Sequence, residues 1–186
     1  AESERRPPDY VARCFAWERG TPIPEPLPEI LELIAEARAV FNTGHVTGDE
    51  AIRLVAEARK RNVGKILVPA AYYTVEECVT LAELGALIEF SFSVLSHATA
   101  IGQTMIDSEK HRFPPVTLDH VAACIRAAGP ERVVVSSDSG SYVLPPPVEA
   151  FREMLVMIQS CGFTDAEMRL MSSRNPARLF LRNGHA

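Results

Sequence analysis

The chain has 186 residues, 47% of them hydrophobic, which supplies the apolar material for one core and favours a single domain over two. A formal net charge of −5 leaves no basic excess with which to neutralise a phosphate backbone, so nucleic acid is excluded as the expected partner in favour of a small molecule or a protein. No apolar run reaches the roughly 18 residues that span a bilayer, and no signal peptide opens the chain, so the expected location is the cytoplasm.

Residues 1–26 read as an extended lead-in. Its opening, Ala1 to Asp9, is polar, proline-broken and without an initiator methionine, so the chain is expected to begin mid-protein. Val11 to Trp17 is a possible strand, and Thr21-Pro22-Ile23-Pro24-Glu25-Pro26 permits only extended or turn backbone. Leu27, Ile30, Leu31, Ile34 and Ala37 then fall at helical spacing. Ala39 to Thr43 is β-prone, and Thr47-Gly48-Asp49-Glu50 is a capping box that opens a second helix.

The unit then repeats. Lys65-Ile66-Leu67-Val68 is a strand too apolar to be exposed on either face, and Thr74-Val75-Glu76-Glu77 caps a helix that runs to Leu84 and stops at Gly85. Ala86 to Phe92 is the third strand, followed by an irregular segment to Pro115 and a helix from Thr117 to Ala127. Gly129-Pro130 breaks that helix before the fourth strand, Arg132 to Ser136. Helices are expected from Val148 to Ser160, from Thr164 with a third capping box to Glu167, and from Pro176. Buried strands separated by helices specify right-handed crossovers and a parallel sheet, hence an α/β class. Periodicity leaves open whether the sheet is doubly wound or part of a barrel.

In both architectures ligands collect at the carboxyl ends of the strands. His45 follows the first buried strand, Tyr72 and Tyr73 the second, Ser91 and Ser93 flank the end of the third, and Ser136-Ser137-Asp138 ends the fourth. A carboxylate ending a run of valines is expected to be paired, metal-bound or acting as a base, which makes Asp138 the foremost catalytic candidate. His97 lies where the long loop could close over a pocket, whereas His111, His120 and His185 receive no site role. The four cysteines, Cys14, Cys78, Cys124 and Cys161, form no C-x-x-C pair and are expected to be buried free thiols. With no G-x-S-x-G elbow, P-loop or G-x-G-x-x-G present, a histidine and an aspartate on neighbouring strand ends suit metal-assisted hydrolysis best.

Gly44-His45 after a strand, the run Gly129 to Gly140, Pro145-Pro146-Pro147 and the closing Asn175-Pro176-Ala177-Arg178-Leu179-Phe180 together resemble an uncharacterised branch of the amidohydrolase superfamily, a domain of unknown function with a metal-dependent hydrolase barrel. The resemblance covers the chain from about Leu27 onward. It implies that residues 27–186 form the C-terminal half of a (β/α)₈ barrel, with the four strands as the fifth through eighth. It further implies that His45 and Asp138 bind a divalent metal ion (zinc, manganese or iron) and that Asp138 relays protons. By their positions at the strand ends and in the long loop, Tyr72, Ser91, His97 and Ser136 are the candidates for a substrate pocket. The implied activity is hydrolysis of a small amide, ester or lactone.

Two departures bear on that reading. The superfamily's first-strand His-x-His pair has no counterpart, and Pro69-Ala70-Ala71 stands where the sixth strand should end in a histidine, with Ala70 in place of the ligand. Two protein ligands fall short of the three typical of catalytic zinc. The chain is accordingly expected to be a subunit or processed fragment completed by a chain with the first half of the barrel, a degenerate barrel that binds without catalysing or supports an active partner, or a protein whose site is rebuilt using Tyr72, Tyr73 or His97. An open-sheet binding module is a further alternative. A half barrel leaves strand edges and an apolar interior that need covering, so association with a complementary chain or a second copy is expected.

Overall fold

The computed structural model describes residue 17 and residues 19–96 and 116–181 of the protein. Helix α1 (Leu27–Ala37) leads into β1 (Val40–Asn42), followed by α2 (Gly48–Lys60), β2 (Lys65–Pro69), α3 (Val75–Glu83) and β3 (Leu87–Ser91). A single turn, α4 (Phe92–Leu95), closes β3. Then come α5 (Leu118–Ala128), a 3₁₀ turn at Pro130–Arg132, β4 (Val133–Ser136), α6 (Pro147–Ser160), α7 (Asp165–Arg169), a π-turn at Leu170–Arg174 and α8 (Asn175–Phe180). All three sequence-predicted capping boxes form, with Thr47, Thr74 and Thr164 each exchanging hydrogen bonds with the glutamate three residues on. Arg132, expected in the fourth strand, belongs to the 3₁₀ turn, because Pro130 fixes a tight turn before the chain can extend. Of the possible strand from Val11 to Trp17, only Trp17 lies among the described residues, where it is buried with Arg53 stacked over its ring.

The four strands are parallel and ordered β1-β2-β3-β4. The order contains no reversal. A doubly wound sheet reverses its strand order at a switch point, whereas an unreversed order with right-handed crossovers puts every connecting helix on one face. Side chains divide accordingly. Phe41, Ile66, Val68, Ile88, Phe90, Val133 and Val135 face the helices within one large core, each fully buried large side chain contributing about 1.5–3 kcal/mol. Leu67, Leu87, Val134 and Leu179, with Val40 beside them, form a separate small cluster on the opposite face, where the interior of a barrel would lie. Among the described residues β1 pairs only with β2 and β4 only with β3, so both outer edges of the sheet are open.

The amino-terminal end of the sheet is pinned by two polar side chains, the half-buried Arg59 and the buried Asn175. Arg59 on α2 donates to the carbonyls of Val63 and Leu84 at 2.9 Å each, and also to those of Gly64 and Gly85, tying together the loops that enter β2 and β3. Asn175, wholly buried, donates through Nδ2 to the carbonyls of Pro130 at 2.9 Å and Val133 at 2.7 Å. The asparagine of the closing Asn-Pro-Ala-Arg run therefore anchors the start of β4. Replacing it leaves two carbonyls without their donor, so Asn175→Ala is expected to lower unfolding stability by about 1–3 kcal/mol. A urea midpoint unchanged from that of the unsubstituted protein would remove this role.

Candidate functional site at the carboxyl edge of the sheet

Strand register sets what faces the side opposite the main core. Asn42, Leu67 and Leu87 stand in one row, Pro69, Glu89 and Val134 in the next, and Ser91 with Ser136 above them. That face thus changes from aliphatic to polar toward the strands' carboxyl ends. A cavity of about 200 Å³ opens there, lined by residues from all four strand exits, among them Asn42, His45, Glu89, Ser91 and Asp138. The expected pair, His45 and Asp138, is brought to one cavity together with Ser91.

Each strand exit is fixed by local chemistry. At the end of β1, the Asn42 side chain accepts the Gly44 N–H at 2.8 Å, and Gly44 takes a φ of 67° that a side chain would disfavour. His45 therefore sits in a short turn between this bend and the Thr47 cap. The Tyr73 hydroxyl secures the turn by donating to the Val46 carbonyl at 2.9 Å. Tyr73 is thus a buried structural residue.

The exits of β3 and β4 are joined directly. Ser93, 2% exposed, donates its hydroxyl to Asp138 Oδ2 at 2.6 Å, and its backbone N–H donates to the Ser137 carbonyl at 3.2 Å. The Ser93 proton is committed to the carboxylate, so the 3.1 Å contact between Ser91 and Ser93 has Ser91 as donor. A relay runs from Ser91 through Ser93 to Asp138. Asp138 itself is solvent-exposed and has a φ of 47°, a left-handed conformation that aspartate tolerates better than most residues. Its position as the exposed end of a buried strand is therefore maintained by Ser93.

The other candidates separate. Ser136 faces the same side as Ser91, and its buried hydroxyl has no hydrogen-bond partner among the described residues. Tyr72 lines a different, larger cavity of about 450 Å³, with Tyr73, Thr117 and His120. His97 lies outside the described residues. Ala70 requires a correction, because it is wholly buried in the helix-side core and does not occupy a ligand position. The cavity-facing residues at the end of β2 are Pro69 and Ala71, since side chains alternate across a strand and its continuation. Neither can bind a metal.

Glu89 is the residue that sequence reading passed over. It is half-buried within β3 and lines the cavity beside Ser91 and Asp138. The available signal was a lone carboxylate in an otherwise apolar strand, two residues before Ser91 and hence on the same face. Even with Glu89 added, no three His, Cys, Asp or Glu side chains among the described residues converge as a metal-binding group. The described residues alone do not fit a catalytic metal, which needs about three protein ligands.

A family of unknown function (DUF6282) matches residues 12–89. No curated protein matches the chain. Among solved structures, the chain is similar to a zinc-bound amidohydrolase from Burkholderia multivorans, with a TM-score of 0.57 and 16% identity, over 94% of this chain and 70% of that one. At that identity the likeness concerns the fold, and the fold it defines is an amidohydrolase-like α/β architecture with a parallel sheet. No helix among the described residues is long and apolar enough to cross a membrane.

The Ser93–Asp138 link gives a direct test of the site's construction. Ser93→Ala is expected to destabilise the protein by about 1–2 kcal/mol, because the hydroxyl serves a charged acceptor. Asp138→Asn, which keeps an acceptor and a residue type tolerant of the left-handed region, is expected to stay within about 0.5 kcal/mol. Equal urea midpoints for Ser93→Ala and the unsubstituted protein would show that the serine does not hold the loop.

Proposed function

We propose that this chain furnishes the carboxyl-edge half of a hydrolase site of the amidohydrolase type, acting on a small amide, ester or lactone. The observation that carries this reading is the convergence of His45, Glu89, Ser91 and Asp138 on one cavity, with Asp138 oriented by Ser93. Such a cavity at the carboxyl ends of parallel strands is where barrel folds place their chemistry.

In this reading Asp138 is the general base. Ser93 occupies Oδ2, which leaves Oδ1 to accept a proton from a water molecule as its oxygen attacks the substrate carbonyl carbon. His45 donates a hydrogen bond to the carbonyl oxygen as negative charge develops there. Collapse of the tetrahedral intermediate breaks the bond to the leaving group, and the proton held by Asp138 goes to that group. Zinc, manganese or iron at this cavity would draw on His45 and Asp138 and require donors from outside the described residues. The strands that would supply them are the first four of a barrel in which β1 to β4 stand as the fifth through eighth, carried by a complementary chain or replaced by a second copy.

One observation favours a second reading, a supporting half barrel that completes an active partner. The end of β2 offers the cavity only Pro69 and Ala71, so one strand of the site contributes no polar group.

The chain, purified with whatever accompanies it, is to be measured for native mass, metal content and hydrolysis of a panel of small amides, esters and lactones. The hydrolase reading expects activity that falls about 100-fold or more in Asp138→Asn with stability retained. Activity unaffected by Asp138→Asn and His45→Ala would overturn it. A metal-free assembly without hydrolytic activity would support the second reading.

A further inference from the structure

Away from the carboxyl-edge cavity, the core between α3 and α5 contains the thiols of Cys78 and Cys124, both fully buried and near enough that each perturbs the other's acidity. The hydrolytic chemistry uses neither. One turn before Cys124 on α5, His120 brings Nε2 to 2.9 Å from the Tyr73 carbonyl oxygen and 3.5 Å from Cys124 Sγ. A carbonyl oxygen only accepts, so Nε2 carries a proton and shares it between that oxygen and the sulfur. Cys124 therefore has the His120 N–H at its sulfur, a contact that Cys78 lacks, with the Cys78 thiol beside it.

This asymmetry distinguishes the two thiols. The neighbouring Cys78 thiol holds the Cys124 thiol below its ordinary value against the opposing effect of burial. The same pairing, with burial, pushes Cys78 up. The thiolate is the reactive form of cysteine, so Cys124 has the character of a nucleophile and Cys78 that of the protonated partner that resolves it. His120 also lines the 450 Å³ cavity, so the ring that contacts Cys124 borders a space open to a small oxidant. The cluster does not form a metal site, since no three suitable side chains among the described residues converge.

We propose that Cys124 and Cys78 form a peroxide-reactive dithiol that closes into a disulfide between α3 and α5. The Cys124 thiolate attacks hydrogen peroxide, breaking the O–O bond to give a sulfenic acid and hydroxide, which takes up the proton the thiol released to solvent. The Cys78 sulfur then attacks the sulfenic sulfur, the S–S bond forms, and the sulfenic oxygen leaves as water with the Cys78 proton. The two thiols lose two electrons to one peroxide, which yields two waters. The cross-link joins two helices whose first turns border the same cavity.

The test is peroxide treatment of the purified protein, followed by intact mass and non-reducing peptide mapping. The expected product has lost two hydrogens and contains one cross-linked peptide pair holding Cys78 and Cys124, unchanged in Cys161→Ser. Cys78→Ser is expected to stop at a Cys124 sulfenic acid captured by a dimedone probe, and Cys124→Ser to leave Cys78 reacting about tenfold more slowly. Mapping of the unsubstituted protein decides the matter even if a variant does not fold. A disulfide through Cys14 or Cys161, oxidation to sulfinic acid without a cross-link, or thiols that stay intact in the folded protein under peroxide that oxidises the urea-unfolded chain would overturn the proposal.

Discussion

The architecture follows from one constraint, that successive strands join the sheet in sequence and in the same direction. Right-handed crossovers then have only one face on which to pack their helices. That face absorbs Phe41, Ile66, Val68, Ile88, Phe90, Val133 and Val135 into the main core, and the other carries a second, smaller cluster. Its small cluster of Leu67, Leu87, Val134 and Leu179 is the lower part of a surface that turns polar toward the carboxyl ends. The candidate site and the apolar cluster are thereby separated along the strand axis.

At the amino-terminal end the problem is satisfying carbonyls where helices hand over to strands. Arg59, half-buried, and Asn175, wholly buried, meet it with side-chain donors, and the geometry of each suits its task. A guanidinium presents a rigid fork that serves several carbonyls at once, and a carboxamide presents two protons from a single nitrogen. The closing Asn-Pro-Ala-Arg run, which carries part of the family resemblance, thus acts far from the catalytic candidates.

At the carboxyl end the problem is reversed, because polar groups must be presented to a cavity and still be held still. Ser93 does this for Asp138 by binding one carboxylate oxygen and by docking its own N–H on the neighbouring carbonyl. The left-handed backbone at Asp138 and the bend at Gly44 are the local distortions that turn the chain toward the cavity. Both occur where loops leave strands, the part of an α/β fold that varies without disturbing the core. The larger cavity near Tyr72 and His120 belongs to the helix layer, and its chemistry concerns the thiol pair below it.

The sequence by itself determined the local structure: the three capping boxes, the helix stop at Gly85, the buried strands around Ile66, Ile88 and Val134, and the placement of His45 and Asp138 just beyond strand ends. These are short-range matters of hydrogen-bond reach and side-chain periodicity, so neighbouring residues encode them. Only the tertiary structure decided the strand order, which depends on pairings between residues twenty or more positions apart. Facing direction at the strand ends also needed it. Ala70 and Ala71 look alike in sequence, yet one packs against helices and the other lines the cavity. Glu89 became a site residue for the same reason, because a carboxylate within a strand is informative only once the face it occupies is known. The Ser93–Asp138 bond and the Cys78–Cys124 pair each join residues about 45 positions apart, and no local pattern encodes such a contact.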